Sequence, residues 1–405
     1  KKSISRTPAP PFTTSALQQE AARKLGFSVS QTMRIAQKLY EDGLITYMRT
    51  DSTNLSNLAI GTIKQVITEN FGAEYSKVRA YKTKTKGAQE AHEAIRPTFP
   101  ANMTIEGTAQ EKKLYEPIWK RAVASQMADA EIEKTTVMIS IDGMEDFFVA
   151  NGEIVKFDGF LKVYKETQEE GMAEEDSAQL PVMKVADKLL YNQIVAIQRF
   201  AQRPLRYNEA SLVRKLEELG IGRPSTYAPT ITTILARRYI AKENKNLYVT
   251  ELGDVVNSMM KNAFPSIVDV NFTANMETLL DGVEDGNVKW KTIIANFYPD
   301  LDQAVINAEK ELEEVKVKEE FSGENCELCG RPMYIKYGPH GRFQACSGFP
   351  DCRNTKPYFE KIGIECPKCG KDIVLKKTKS SIKSRIALTY ITVGLHFFCC
   401  NSGSR

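Results

Sequence analysis

The sequence predicts a mixed α+β chain of several domains, in which winged-helix-like units flank an antiparallel β-rich segment and a cysteine-rich module follows at the end. Three observations predict it. A helix-turn-helix-strand pattern occurs over residues 13–50 and again over 207–250, β-rich runs with glycine turns lie between them, and all eight cysteines fall after residue 325.

At 405 residues and 42% apolar content, the chain exceeds what one core usually organises, so two to four domains are expected. No apolar run approaches the ~18–20 residues of a membrane span, and the start KKSISRTPAPPF lacks the apolar stretch of a secretory signal. A soluble, cytoplasmic, membrane-free protein is the expectation. The first residue is lysine and the first folding signal follows Pro11, which suggests a piece of a longer chain. Net charge is +4, but residues 326–405 hold 14 Lys/Arg against 5 Asp/Glu, leaving the preceding part at −5. The basic surface is therefore concentrated in the tail.

In the first repeat, Ser15 to Leu25 reads as a helix broken at Gly26. A second helix is capped by Ser28 or Ser30, carries Met33, Ala36, Leu39 and Tyr40 on one face and stops at Gly43. The apolar run that follows reads as a short strand. Residues 136–141, 147–150 and 189–197 read as antiparallel strands, with an acidic, glycine-containing loop at 167–178. In the second repeat, Glu209 to Leu219 is helical, Gly220 and Gly222 break it, Pro224 opens a helix to Ala236, and strands follow near Tyr239 and Leu247–Thr250. Residues 251–320 return to helix and end in a charged run from Ala308 to Glu320 that reads as a solvated helix or connector. These signals divide the chain into a truncated linker (1–11), a tyrosine-bearing domain (12–134), a β-rich segment (135–200), a helical domain (201–320), and two cysteine modules (321–360 and 361–405).

Cys326-x2-Cys329-x16-Cys346-x5-Cys352 has zinc-ribbon spacing: two knuckles each bring two thiolates to one tetrahedral ion, and a strand-like segment separates them. Tyr334, Tyr337, Phe343 and Phe349 interleave with Arg331, Lys336, Arg342 and Arg353, which suits stacking on single-stranded bases. Cys366 and Cys369 begin a second zinc knuckle. Its continuation departs from the pattern after about Lys379, where His396, Cys399 and Cys400 are poorly spaced to complete it.

Tyr47 and Arg49 stand two residues apart in GLITYMRTDS. On an extended segment they project to one face, so a guanidinium can grip the phosphate that a phenolate attacks. By itself, this dipeptide pattern is also an ordinary amphipathic edge.

The stretch PFTTSALQQEAARKLGFSVSQTMRIAQKLYEDGLITYMRTDSTNLS, with QEAHEAIRPT at 89–98 and NEASL to GIGRPSTY at 208–227, closely resembles bacterial type IA DNA topoisomerases of the topoisomerase I group. The resemblance covers nearly all of residues 11–375. It implies that Tyr47 is the nucleophile of a transesterification that leaves a 5′-phosphotyrosine and a 3′-hydroxyl, without ATP. It implies Arg49 on the scissile phosphate and His92 as a hydrogen-bond donor to it. Arg96 either shares that phosphate or braces the loop. Arg223, with Ser225 and Thr226 at a helix start, is suited to a further DNA phosphate. The family's Mg²⁺ site lies in an N-terminal Toprim domain that these residues do not supply, and the Asp129, Glu131 and Glu133 alternation reads as a solvated stretch.

The implied parts are a gate (12–134), part of a β-rich arch and part of a DNA-holding base. The implied whole is a monomeric, nucleoid-associated bacterial enzyme that relaxes negatively supercoiled DNA by acting on single strands. The rival outside the family is a noncatalytic winged-helix and zinc-ribbon single-stranded DNA-binding protein. Within it, reverse gyrase needs a helicase-like region and topoisomerase III usually lacks such ribbons.

Overall fold

The structure is a computed structural model and describes residues 1–81, 92–165, 180–201, 203–312, 320–338, 341–365 and 372–375. Cys366, Cys369, His396, Cys399, Cys400 and the acidic loop at 167–178 lie outside the described residues. The chain divides into two compact units, Lys1–Glu314 and Val315–Arg405.

In the first unit, polar caps start the helices where the sequence offers hydroxyls and amides. Thr13 accepts from the Ala16 N–H at the start of α1 (Thr14–Glu20), which runs on into a π-turn at Ala21–Leu25. Ser28 accepts from Gln31 N–H at 3.1 Å and opens α2 (Val29–Glu41). Ser56 opens α3 (Asn57–Phe71), and a Thr108/Glu111 capping box opens α4 (Ala109–Ser125). The 3.6-residue spacing of Ile35 and Leu39 on α2, Ile63 and Ile67 on α3, and Leu114 and Ile118 on α4 brings these side chains into one core with Phe12, Leu17, Ile45, Met48 and Ile95.

The second repeat forms α5 (Glu209–Glu218), α6 (Tyr227–Ala236) and the hairpin β4 (Ile240–Glu243) and β5 (Asn246–Val249). Helix α6 begins three residues after Pro224, because Pro224–Thr226 form a turn. A smaller core joins the two repeats: Val29 of α2 packs with Val213 of α5 and with Tyr227, Ala228 and Ile231 of α6. Helices α7 (Glu251–Ala263), α8 (Val270–Glu284) and α9 (Trp290–Glu311) follow, and the start of the expected charged run at Ala308 is helical. The start of α7 presses on the preceding hairpin, and only a glycine fits there: a Cβ on Gly253 would lie 1.9 Å from the Tyr239 carbonyl oxygen.

Three expectations are corrected. Residues Lys2–Arg6 are not linker but strand β1, antiparallel to β2 (Ala130–Ser140), which pairs with β3 (Phe147–Phe157). Glu133 of β2 pairs with Lys1 at 2.9 Å, and Asp129 with Lys77 at 2.5 Å and with Arg79, so two of those three acids are charge-paired, while Glu131 is exposed as expected. Residues 189–197 form no strand: their β propensity finds no partner ladder among the described residues, and Leu189, Ile194, Val195 and Ile197 stay exposed.

In the second unit, β6 (Glu320–Asn325), β7 (Pro332–Gly338), β8 (Gly341–Cys346) and β9 (Thr355–Pro357) form a four-stranded antiparallel sheet in sequence order. A two-stranded sheet of β10 (Glu360–Glu365) and β11 (Asp372–Leu375) follows. Among the described residues no helix is long and apolar enough to cross a membrane.

Candidate functional site

The tyrosine segment is not the strand that its apolar run suggests. Residues 44–50 run without a ladder, held by single contacts on both sides. The Thr46 hydroxyl donates to the Ala94 carbonyl at 2.7 Å, and the Thr46 N–H donates to the Arg96 carbonyl at 2.9 Å. The Thr98 N–H donates to the Leu44 carbonyl at 3.0 Å, and Ile45 bridges to Pro97. From the other side, the Thr14 hydroxyl donates to the Met48 carbonyl at 2.7 Å and accepts from the Thr50 N–H at 2.8 Å. Ile45 and Met48 are fully buried anchors, so the backbone on either side of Tyr47 is fixed while its ring stays half-buried.

That ring meets two others. Tyr40, from the last turn of α2, stands edge-on to it with centroids 5.2 Å apart. His92 lies tilted to it at 5.8 Å, so the structure brings together the tyrosine and the histidine that the sequence singled out. Arg49 is exposed and, among the described residues, forms no ion pair. Arg96 is committed: its Nε donates to Glu93 at 2.9 Å, a second nitrogen bonds the same carboxylate, and Nη1 donates to the Pro97 carbonyl at 2.9 Å. Glu93 in turn accepts from the Ser56 N–H at 2.6 Å. Burial disfavours the Glu93 charge, but the Ser56 hydrogen bond and the Arg96 charge prevail and hold its carboxyl below the usual range. Of the two roles open to Arg96, loop bracing is the one its contacts display.

A cleft of ≈ 640 Å³ opens between the two helical repeats, with Thr13, Thr50 and Asp51 on one wall and Arg214, Glu217 and Arg223 on the other. Ser15 closes one side by donating to Glu217 at 2.5 Å. Arg223 sits in the Gly222–Thr226 turn, where the Thr226 hydroxyl accepts from the Arg223 N–H at 2.8 Å. Its guanidinium donates to Asp281 of α8 at 2.7 Å and to the Gly222 carbonyl at 3.0 Å. Ser225 and Thr226 are exposed beside it.

Asp51 links this cleft to the tyrosine. Burial pushes its carboxyl above the ordinary range, its own backbone hydrogen bond and the charges of Arg223 and His92 pull it down, and Asp281 pushes it up. Sequence reasoning passed over Asp51, Glu277 and Asp281. Asp51 lies inside the TYMRTDST stretch, and Glu277 and Asp281 recur at a helical spacing of four, but neither signal names a partner.

In the second unit, Cys326 and Cys329 flank the turn after β6, Cys346 ends β8 and Cys352 follows. Their Sγ atoms all lie within 4.8 Å of one another, with Cys326–Cys352 at 3.7 Å and Cys329–Cys346 at 3.3 Å. Tetrahedral zinc with Zn–S bonds of about 2.3 Å places sulfurs about 3.8 Å apart, so the four fit that ion. The Asn354 side-chain amide donates to the Cys326 sulfur at 3.3 Å; with the Leu328 and Cys329 N–H groups it draws that thiol down to about 6, favouring the thiolate that ligates. Arg342 lies over the Tyr358 ring at 4.9 Å and Arg353 over Phe349 at 6.0 Å, so two of the interleaved cations are stacked on aromatics.

The chain belongs to the DNA topoisomerase family, whose model matches residues 1–295. The family described as "Topoisomerase DNA binding C4 zinc finger" matches residues 323–361 and again 363–382, the first match containing the four-cysteine cluster and the second Cys366 and Cys369. The solved structure of full-length topoisomerase I from Thermotoga maritima is similar, with 35% sequence identity and a TM-score of 0.64 over 92% of this chain. The match covers 60% of that protein, so this chain spans about three fifths of its length.

Proposed function

We propose that this chain is the strand-cleaving and strand-holding portion of a bacterial type IA DNA topoisomerase I, acting in the cytoplasm as a monomer on single-stranded segments of negatively supercoiled DNA. The observation that carries the reading is the half-buried Tyr47 ring beside His92, with the uncommitted cation Arg49 two residues on. In the reaction, the Tyr47 oxygen attacks a backbone phosphorus and loses its proton. The bond to the 3′-oxygen breaks and that oxygen takes up a proton, leaving the 5′-phosphate on the tyrosine. The reverse step reseals the strand, and because the ester conserves the phosphodiester energy, no ATP is consumed. Arg49, always charged near neutral pH, offsets charge on the nonbridging oxygens, and His92 donates a hydrogen bond to the same phosphate. Arg96 supports them through the loop that pins Thr46.

Arg223 and Ser225 hold the strand through a neighbouring phosphate, with Thr226 bracing the Arg223 backbone, which gives affinity without base choice. The first ribbon binds single-stranded DNA through its aromatic and basic residues, and Cys366 with Cys369 contribute to a second zinc ion. The described residues do not fit the family's Mg²⁺: Asp129 is taken by Lys77 and Arg79, and Glu133 by Lys1.

The test uses single-stranded oligonucleotide labelled at its 3′ end, mixed with the chain in the presence and absence of Mg²⁺ and the Toprim domain of a full-length relative, then quenched with denaturant. A labelled covalent adduct that disappears in Tyr47→Phe supports the reading. Intact binding with no adduct under either condition, with the added domain folded, favours a noncatalytic single-stranded DNA-binding protein instead.

A further inference from the structure

Arg223 carries more than one interaction at the rim of the cleft. One α8 face presents Glu277 and Asp281, a helical turn apart. Asp281 accepts from the Arg223 Nη2 at 2.7 Å, Glu277 stands 3.6 Å from Nη1, and Nη1 donates to the Gly222 carbonyl at 3.0 Å. All three charged side chains are largely buried, with 25% of the Arg223, 20% of the Glu277 and 21% of the Asp281 side chain exposed. The backbone is fixed as well, since Gly222 adopts φ +84 and the Thr226 hydroxyl binds both the N–H and the carbonyl of Arg223.

A guanidinium offers five N–H donors in a rigid fork. Two of them are spent on Asp281 and Gly222, and among the described residues the Nε–H makes no hydrogen bond. Arg223 also lines the ≈ 640 Å³ cleft, opposite Thr50 and Asp51. A long, flexible arginine loses rotamer freedom when it grips a ligand, and one already held loses less. Two carboxylates beside a phosphate-binding arginine have an opposing effect, because their charges repel the phosphate. Geometry and charge therefore predict opposite signs for the removal of one carboxylate.

We propose that Glu277 and Asp281 are positioning residues, holding the Arg223 guanidinium at the cleft so that its remaining donors meet a phosphate of the bound strand. This rests on the reading that the cleft takes single-stranded DNA. It assigns α8, whose Glu277 and Asp281 lie more than fifty residues from Arg223 in sequence, a part in holding the strand.

The experiment is a double-mutant cycle on the full chain, read as the affinity for a single-stranded oligothymidylate across a salt series. Asp281→Asn is expected to weaken binding about threefold to tenfold although it removes a negative charge, with the salt slope unchanged. Arg223→Ala is expected to weaken binding and to flatten the slope by about 0.7, the value for one lost contact on a single strand. In the Arg223→Ala background, where only the repulsion remains, Asp281→Asn is expected to leave binding unchanged or slightly tighter. Tighter or unchanged binding by Asp281→Asn, or an equal loss in both backgrounds, overturns the proposal while leaving the cleft reading intact. Unchanged affinity in Arg223→Ala overturns the cleft reading and this proposal with it. Should Asp281→Asn melt below the assay temperature, Glu277→Gln, whose contact is longer, must weaken binding in the same Arg223-dependent way.

Discussion

The Glu209 carboxylate, at the start of α5, accepts a hydrogen bond at 2.7 Å from the backbone N–H of Val29, at the start of α2. That N–H is one of the donors that a helix leaves unsatisfied at its first turn, and here the acceptor comes from the other helical repeat. The second oxygen of Glu209 pairs with Lys242 at 2.5 Å, and the residue is only 5% exposed. One carboxylate thus ties α2, α5 and β4 together.

Glu209→Ala is expected to destabilise the first unit by about 2–4 kcal/mol, since it strands a buried N–H and an ammonium at once. Glu209→Gln, which keeps an acceptor, should cost less. Urea unfolding of both variants checks this, and a loss below ~0.5 kcal/mol for the alanine variant would show that water replaces the carboxylate.

Gly253→Ala is expected to cost about 2–4 kcal/mol, because the new methyl would overlap the Tyr239 carbonyl at 1.9 Å and the obstacle is backbone. Thr250, which caps α7 through the Gly253 N–H at 3.0 Å and donates to the Arg238 carbonyl at 2.6 Å, resists the shift that would relieve it. A melting temperature equal to that of the parent chain would refute the contact.

Burial pushes the Tyr115 and Tyr227 phenols from 10.0 up to about 12. A raised phenol binds its proton more tightly in the folded state. Its contribution to stability is therefore complete below pH 10, the unfolded value, and is lost as pH rises towards 12. Stability should fall over that window, and phenolate absorbance from these two residues should appear with unfolding rather than before it. In Tyr115→Phe, which also loses the 2.7 Å bond to the Asn102 carbonyl, the alkaline decline should be shallower.

Cys346→Ser is expected to lower the zinc content by one ion per chain and to unfold the β6–β9 sheet, while the helical unit keeps its melting transition. A chelator should do the same to the parent chain. Metal analysis and limited proteolysis of the two units report the result, and a sheet that resists proteolysis without zinc would contradict it.

Much of this was legible in the sequence wherever the signal is local. Ser28, one of the two caps that the sequence offers, opens α2, and the cysteine spacing describes the cluster that forms. The strand predicted at Tyr47 fails because Thr46, Met48 and Thr50 bond to the 94–98 segment and to Thr14, partners that no period of two can reveal. Arg96 finds Glu93 three residues away, within the same motif, whereas Arg223 finds Asp281 58 residues on. Opposite charges so far apart leave no periodic trace, and only the packing of α8 on the Gly222 turn brings them together.

The pairing of β1 with β2 has a topological meaning. Arg6 and Ala130 are direct partners in that ladder, so residues 7–129, which carry Tyr47, Arg49 and His92, leave and rejoin the sheet at neighbouring positions. The segment that bears these three residues is an insertion between one pair of adjacent strands, like a pendant on a doubled cord. Its contacts with α5 and α6, among them the Val29 N–H bond to Glu209, would have to break for it to move, but no unthreading of the chain and no change in strand order would be needed.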